Sequence, residues 1–259
     1  MTNNVRQISN MFMTIVRKEI GRFLRIWTQT LLPSVIMTVL YFIVFGAFIG
    51  SQIRSIDGFS YMAFIVPGLI MMGVINNSYS NVVSSFFGQK FQRAVEELLV
   101  SPTPNWVILL GYSVGGVLRG FIVGFLIVIT AVFFVDLPFY NIILILLLFL
   151  LTALFFSLAG FTNAIFARKF DDVSIVPTFI LTPLTFLGGV FYSIDALPVF
   201  WQTVSKFNPI LYMINGFRYG FLGISDVNIA VSIFILILFT AVMFFVNLYL
   251  LKKGIGLKQ

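Results

Sequence analysis

The chain has 259 residues, of which 59% are hydrophobic and only 10% charged, with a mean hydropathy of +1.05; an average soluble domain is roughly 25% charged. A water-soluble fold would leave this much apolar surface in large exposed patches, so the sequence reads as an all-α integral membrane protein, one unit over 1–259 whose length is counted in spans. Cys and His are both absent, which excludes disulfides, thiol nucleophiles, Cys/His zinc sites and imidazole chemistry, and the net charge of +7 is scattered between apolar runs, as expected for membrane orientation rather than nucleic-acid binding.

In chain order, residues 5–27 place Ile8, Met11, Phe12, Ile15, Phe23 and Trp27 at near-helical spacing, with Arg6, Arg17, Lys18, Arg22 and Arg25 mostly between them. This predicts an amphipathic helix lying in the headgroup layer. Cations spread through the whole segment do not fit a secretory signal, so no cleavage is expected. A span needs about 20 mostly apolar residues, and six stretches qualify: 31–50, 60–87, 106–134, 139–166, 173–191 and 228–250. The second is the most polar, with Asn76, Asn77, Ser78, Ser80 and Asn81, a face expected to look into the bundle or a cavity.

With the N-terminus inside, the inner connections hold Arg6, Arg17, Lys18, Arg22, Arg25, Lys90, Arg93, Arg168, Lys169, Lys252, Lys253 and Lys258, whereas the outer ones hold Arg54, Lys206 and Arg218. Twelve against three places both termini in the cytoplasm. After the second span, Phe91, Val95, Leu98 and Leu99 form one helical stripe, with Arg93 and Glu97 as an i,i+4 pair beside Glu96. Ser101 before Pro102 ends that helix and Pro104 helps start the next span. The expectation is a short, rigidly held cytoplasmic helix over 91–100.

The third span carries Gly111, Gly115, Gly116, Gly120 and Gly124 at small-xxx-small spacing, read as bundle packing or a subunit seam. Arg119 lies near its middle, where a lone cation is expensive; it is read as held by a backbone carbonyl or helix C-terminus, with direct substrate contact as the alternative. Asp171 and Asp172 beside Arg168 and Lys169 read as a solvated turn. The stretch 192–223 is too apolar for a loop and too broken for a span, which suits extracellular re-entrant half-helices, anchored by Tyr192, Trp201 and Tyr212. Phosphate-loop, nucleophile-elbow and zinc-protease motifs are missing, and no carboxylate falls clearly inside a span, so the driving force is expected to come from outside the chain.

Two stretches, "VEELLVSPTPNWVILLGYSVGGVLRG" (95–120) and "LTPLTFLGGVFYSIDALPVFWQTVSKFNPILYMINGFRYG" (181–220), resemble type-2 ATP-binding-cassette (ABC) export permeases, and the basic amphipathic N-terminus is also similar. The resemblance implies a membrane subunit without its own ATPase, pairing with a second copy of itself as a homodimer in the bacterial plasma (inner) membrane. Two nucleotide-binding ATPase subunits would dock below; the chain itself would bind no cofactor, and ATP and Mg would be used by that partner. It further implies that Phe91, Arg93, Glu96 and Glu97 form the ATPase-coupling helix, with Pro102 and Pro104 stiffening its join. Tyr192, Asp195, Pro198, Trp201, Asn208 and Pro209 would belong to the extracellular gate. The substrate expected is amphiphilic, lipidic or glycan, moved outward. A stand-alone carrier or channel without ATPase is the alternative, and a membrane-embedded lipid enzyme is disfavoured by the missing catalytic clusters.

Overall fold

The computed structural model of the chain describes residues 2–50, 55, 56 and 58–257; Arg54 and Lys258, both used in counting charge, lie outside them. The described residues are helical, with no strand beyond an isolated bridge between Ile56 and Phe59. Among the described residues, six helices are long and apolar enough to cross a membrane.

An N-terminal helix, Thr2–Arg25, leads into the first span through a bend at Ile26, where the Thr30 hydroxyl donates to the carbonyls of Phe23 (2.9 Å) and Ile26 (3.1 Å). The first span is built of Trp27–Thr30, Leu32–Tyr41 with Pro33 in its first turn, and a π-helical stretch Phe42–Ile49. Ser60 caps the second span, Tyr61–Phe91, its side chain accepting from the Ala63 N–H. At 31 residues this helix is about 46 Å long, well over the roughly 30 Å hydrocarbon layer, so it projects from the apolar slab. A short helix, Ala94–Val100, follows. The third span is Asn105–Val132 and the fourth Ile142–Phe166, the latter capped by Asn141. The fifth is Phe170–Val176, a π turn Pro177–Leu181, and Thr182–Leu187. The sixth, Ile229–Lys253, is capped by Asn228 and closed by Gly254 at φ 64°.

The expected spans are present with shifted ends. The second runs past residue 87 to Phe91, and the fifth starts at Phe170 and stops at Leu187 rather than covering 173–191. The chain turns out of the fifth span at Gly188 and Gly189, the latter at φ 79°. Between the fifth and sixth spans stand a single turn, Ile194–Ala196, and two helices, Val199–Lys206 and Pro209–Leu222.

The second span is the axis of the bundle, packed along the third and fourth spans and against Pro209–Leu222. Its hydrophobic window is 78% buried, whereas that of the fifth span is 11% buried. The N-terminal helix lies along the third span. Tyr61, at the start of the second span, donates to the Phe191 carbonyl (3.1 Å), while Asn81 and Ser85, nearer its other end, hold the N-terminal helix. The segment between spans five and six and the N-terminal helix therefore occupy opposite ends of the bundle.

Candidate functional site

At the N-terminal helix end, the second span breaks at Gln92 and Arg93 before the short helix begins. Arg93 has φ 60°, the one positive-φ non-glycine among the described residues, and stands at the N-cap. Its left-handed backbone takes it out of the helix, and among the described residues no ion pair links it to Glu97; the expected i,i+4 pair is corrected on that ground. Phe91 belongs to the second span instead of the short helix, where it packs on Phe170 with ring centroids 4.8 Å apart. Within the short helix Val95 is buried and Leu98 and Leu99 are half-buried, whereas Glu96 and Glu97 are exposed in its first turn, where carboxylates are stabilised by the helix dipole. The far end is closed by Ser101, whose hydroxyl bonds the Leu98 carbonyl (2.6 Å) and Thr103 Oγ1 (2.9 Å). Pro102 is exposed, and Pro104 caps the third span at φ −61°, ψ 141°. The helix is held at both ends and presents two carboxylates outward.

Beside it, Glu19 of the N-terminal helix has no exposed surface. Its carboxylate accepts from Ser85 Oγ and from Arg22 Nη2 (3.2 Å), with Lys18 Nζ at 3.8 Å. Arg22 also donates to the backbone carbonyl (2.9 Å) and Oδ1 (2.8 Å) of Asn81. Lys18 reaches the Tyr112 hydroxyl at 3.1 Å, and burial there lowers its pKa from the ordinary lysine value, partly countered by Glu19. A cavity of 550 Å³ separates this helix from the short one, lined among others by Lys18, Glu97, Ser101 and Tyr112. Sequence reading missed Glu19, yet it sits on the apolar stripe Ile8, Phe12, Ile15, Glu19, Phe23. A carboxylate on a buried stripe demands a partner.

Arg119 is buried at mid-span and donates through Nε (3.2 Å) and Nη2 (3.0 Å) to Asn77 Oδ1, and through Nη2 to the Thr30 carbonyl (3.2 Å). That carbonyl lies at the C-terminal end of the short helix Trp27–Thr30, so the cation joins spans one, two and three. Asn77 also donates to Ser34 Oγ (2.9 Å). Both Asn77 and Ser34 line a cavity of 270 Å³ between the first two spans, together with Thr38, Tyr41 and Asn76.

The third-span glycines meet other parts of the same chain. Gly111 and Gly115 face Ile15 and Glu19, while Gly116, Gly120 and Gly124 face Ser78, Val82 and Val74 of the second span and Ser157 and Phe149 of the fourth. A Cβ at Gly115 would stand 2.6 Å from Glu19 Cβ, so glycine there is what lets the N-terminal helix approach.

At the opposite end, Arg218, counted above among loop cations, is 1% exposed. Its guanidinium lies 3.8 Å above the centroid of the Phe64 ring, bonds the Gly189 carbonyl, and stands 3.9 Å from Asp226. Asp226 in turn accepts from Ser193 Oγ (3.0 Å) and the Ile194 N–H (3.0 Å). Asp195 is exposed, and among the described residues only its backbone carbonyl is engaged, by Gln202 at 3.4 Å. The acid that organises this segment is thus Asp226. Asn208 caps Pro209–Leu222 through the Ile210 N–H (3.0 Å) and donates to the Leu184 carbonyl (2.6 Å), tying the segment to the fifth span. Tyr192 donates to the Phe186 carbonyl (2.9 Å); Pro198 caps Val199–Lys206; Pro209 opens the next helix; Trp201 is exposed. Among the described residues no group of three acidic side chains is placed to hold a metal ion.

Comparison with known proteins matches residues 10–222 to the family described as ABC-2 type transporter. The inner membrane transport permease YadH of Escherichia coli (strain K12) is 56% identical over 246 residues, covering 95% of this chain and 96% of its own. Nodulation protein J of Rhizobium leguminosarum bv. viciae is 26% identical over 232 residues, covering 88% and 90%. Nodulation protein J of Rhizobium meliloti (strain 1021) is 24% identical, covering 88% of each chain.

Proposed function

The chain belongs to the ABC-2 type transporter family, and we propose that it is the multi-pass permease subunit of an ATP-driven exporter in a bacterial inner membrane. A separate ATPase supplies the energy, and ATP and Mg act there rather than on this chain. The observation that carries the reading is the helix Ala94–Val100, fixed between the second and third spans with Glu96 and Glu97 turned outward. A rigid, charged surface element at the end of the most buried span is a suitable grip for a motor. Force applied there reaches the core without passing through a flexible linker.

Two copies pair around a central pathway, with both termini and the short helix on the cytoplasmic side and the 188–228 segment outside. The faces of the spans support this arrangement. The sixth span turns Ser232, Thr240 and Asn247 inward and exposes hydrocarbon such as Phe234, Ile237 and Phe245. The fifth span exposes Ile175, Phe179 and Phe186 but also, on another face, Ser174, Thr178 and Thr182. Hydroxyls on an open face suit a partner helix or a wet pathway better than lipid. The substrate is an amphiphilic, lipidic or glycan molecule, and the similarity to the inner membrane transport permease YadH supports a transported cargo.

The test is reconstitution with the cognate ATPase, in which ATP turnover is screened for stimulation by amphiphiles and glycans. Glu96→Arg with Glu97→Arg is expected to insert normally and to separate hydrolysis from transport. Normal transport by that variant would refute the coupling role, and transport by the chain without any ATPase would favour a stand-alone carrier or channel.

A further inference from the structure

Behind the fifth span lies a groove of 380 Å³, walled by the second, fourth, fifth and sixth spans and the start of Pro209–Leu222. Its volume is within the roughly 300–1,000 Å³ range of small-ligand sites. One wall is Phe155 and Phe156; the facing one is Val176, Ile180 and Leu184 at i, i+4 and i+8. The groove therefore extends about 12 Å along the span. Phe166 and Ile180 on its rim are 53% and 48% exposed, so it opens toward the surrounding hydrocarbon, and its ligand must arrive from the bilayer.

The polar residues gather at one end. Tyr79, Thr162 and Asn163 line that end, and Tyr79 is 1% exposed. Its hydroxyl makes no hydrogen bond of ordinary geometry among the described residues, although the Asn163 side chain stands beside it. A buried hydroxyl without a full partner is costly, and here it faces a cavity. Immediately past Phe166 the chain turns through Arg168 and Lys169, both exposed. Asp172 is occupied with their backbone N–H groups, at 2.8 and 3.1 Å, and Asp171 is the opposing charge on that turn. Lys252 and Lys253 end the sixth span, which packs along the fourth. An apolar slot with a polar shoulder below a basic rim matches the three parts of an anionic lipid: chain, ester and phosphate.

We propose that this groove binds one acyl chain of an anionic phospholipid, with its ester oxygens at the Tyr79–Asn163 end and its phosphate on the Arg168–Lys169 turn. The lipid would sit between the lightly packed fifth span and the rest of the bundle and set the spacing of the two. This is independent of the ATPase coupling described above, and its test needs no transport assay.

Delipidated full-length protein is titrated with phosphatidylglycerol or with phosphatidylethanolamine of identical chains, and adducts are counted by native mass spectrometry. One phosphatidylglycerol per chain is expected to bind preferentially. Arg168→Ala with Lys169→Ala should weaken it about fivefold or more, the effect of about one basic contact at a membrane surface. Ala159→Trp, which fills the groove, should abolish it. In case that variant does not fold, Phe156→Trp in a background with Trp27, Trp106 and Trp201 changed to Phe provides an optical readout. Phe156 is 2% exposed, so phosphatidylglycerol brominated on its acyl chain and added at stoichiometric amounts should quench a tryptophan there with saturation at one lipid per chain. Absence of quenching, equal retention of both headgroups, or an undiminished adduct in Ala159→Trp would overturn the proposal.

Discussion

Arg218→Met separates the roles of the three charges around the 188–228 segment. The methionine replaces the stem of the arginine but removes its donors. The bond to the Gly189 carbonyl is lost, as is the cation lying 3.8 Å over the Phe64 ring, and Asp226 loses the charge at 3.9 Å. The contacts to the Phe64 carbonyl at 3.4 Å and Asn215 Oδ1 at 3.5 Å are long and add little. A charged hydrogen bond contributes about 1.5–3 kcal/mol and a desolvated cation–π contact about 2. The desolvation of the guanidinium offsets part of this, and removing one partner of a buried pair costs about 3–5 kcal/mol overall. At roughly 2–4 °C per kcal/mol for a chain of this size, detergent-purified Arg218→Met should melt about 6–20 °C below the wild type. Asp226→Asn keeps one carbonyl oxygen for the Ile194 N–H and turns its amide N–H toward Ser193 Oγ, which becomes the acceptor, and should cost on the order of 1 kcal/mol. Asp195→Asn, at an exposed position, should stay within about 0.5 kcal/mol. Melting is followed by fluorescence-detected size exclusion, with limited proteolysis of the 188–228 segment as the local readout. An Arg218→Met protein melting within about 2 °C of wild type, or an Asp195→Asn variant worse than Asp226→Asn, would refute this account.

Two further outcomes follow from the packing of the third and fourth spans. Arg119→Leu leaves Asn77 Oδ1 buried without its donor and should destabilise by about 1–3 kcal/mol, whereas Arg119→Leu with Asn77→Leu should recover part of that loss because both ends become apolar; a thermal-melt double-mutant cycle measures it, and strict additivity would contradict the pairing. A Cβ at Gly160 would stand 2.5 Å from the Tyr79 carbonyl, while one at Gly88 meets nothing within 4 Å, so Gly160→Ala should lower the yield of folded protein and Gly88→Ala should not, as judged by the monodisperse fraction after extraction.

What was legible in the sequence divides along the range of the forces involved. The six spans and the N-terminal helix were legible because run length and periodicity are properties of neighbouring residues. Their ends were less so: the fifth span stops at Leu187 because Gly189 takes a positive φ, and the second continues to Phe91 because Lys90 finds the Ile165 and Ala167 carbonyls of another helix. The Arg93–Glu97 pair failed for a similar reason, since it presumed an unbroken helix across Gln92 and Arg93. Arg218 looked like a loop cation only because its ring, carbonyl and carboxylate partners are supplied by residues 64, 189 and 226. The apolar stripe beside it, Met213, Ile214, Phe217 and Phe221, did signal a helix with one face packed on the bundle.

The polarity of the second span, puzzling in an apolar chain, follows from these long-range bonds. Asn81 and Ser85 receive the N-terminal helix through Arg22 and Glu19. Asn77 receives Arg119 of the third span and touches Ser34 of the first. Lys90 fastens the end of the fourth, and Phe64 lies under Arg218. Each peripheral charge that is buried ends on this one helix. A polar face is expensive in a membrane unless its groups find partners; the bonds above supply several of them, the Ser78 and Tyr79 hydroxyls and Asn81 Nδ2 being the exceptions among the described residues, so its retention is better explained as wiring than as a solvated wall. The short helix Ala94–Val100 starts two residues after this span ends. A rotation delivered there would therefore act first on the element to which the N-terminal helix, the first and third spans and the 188–228 segment are all tied, and the bundle would respond as a unit instead of span by span.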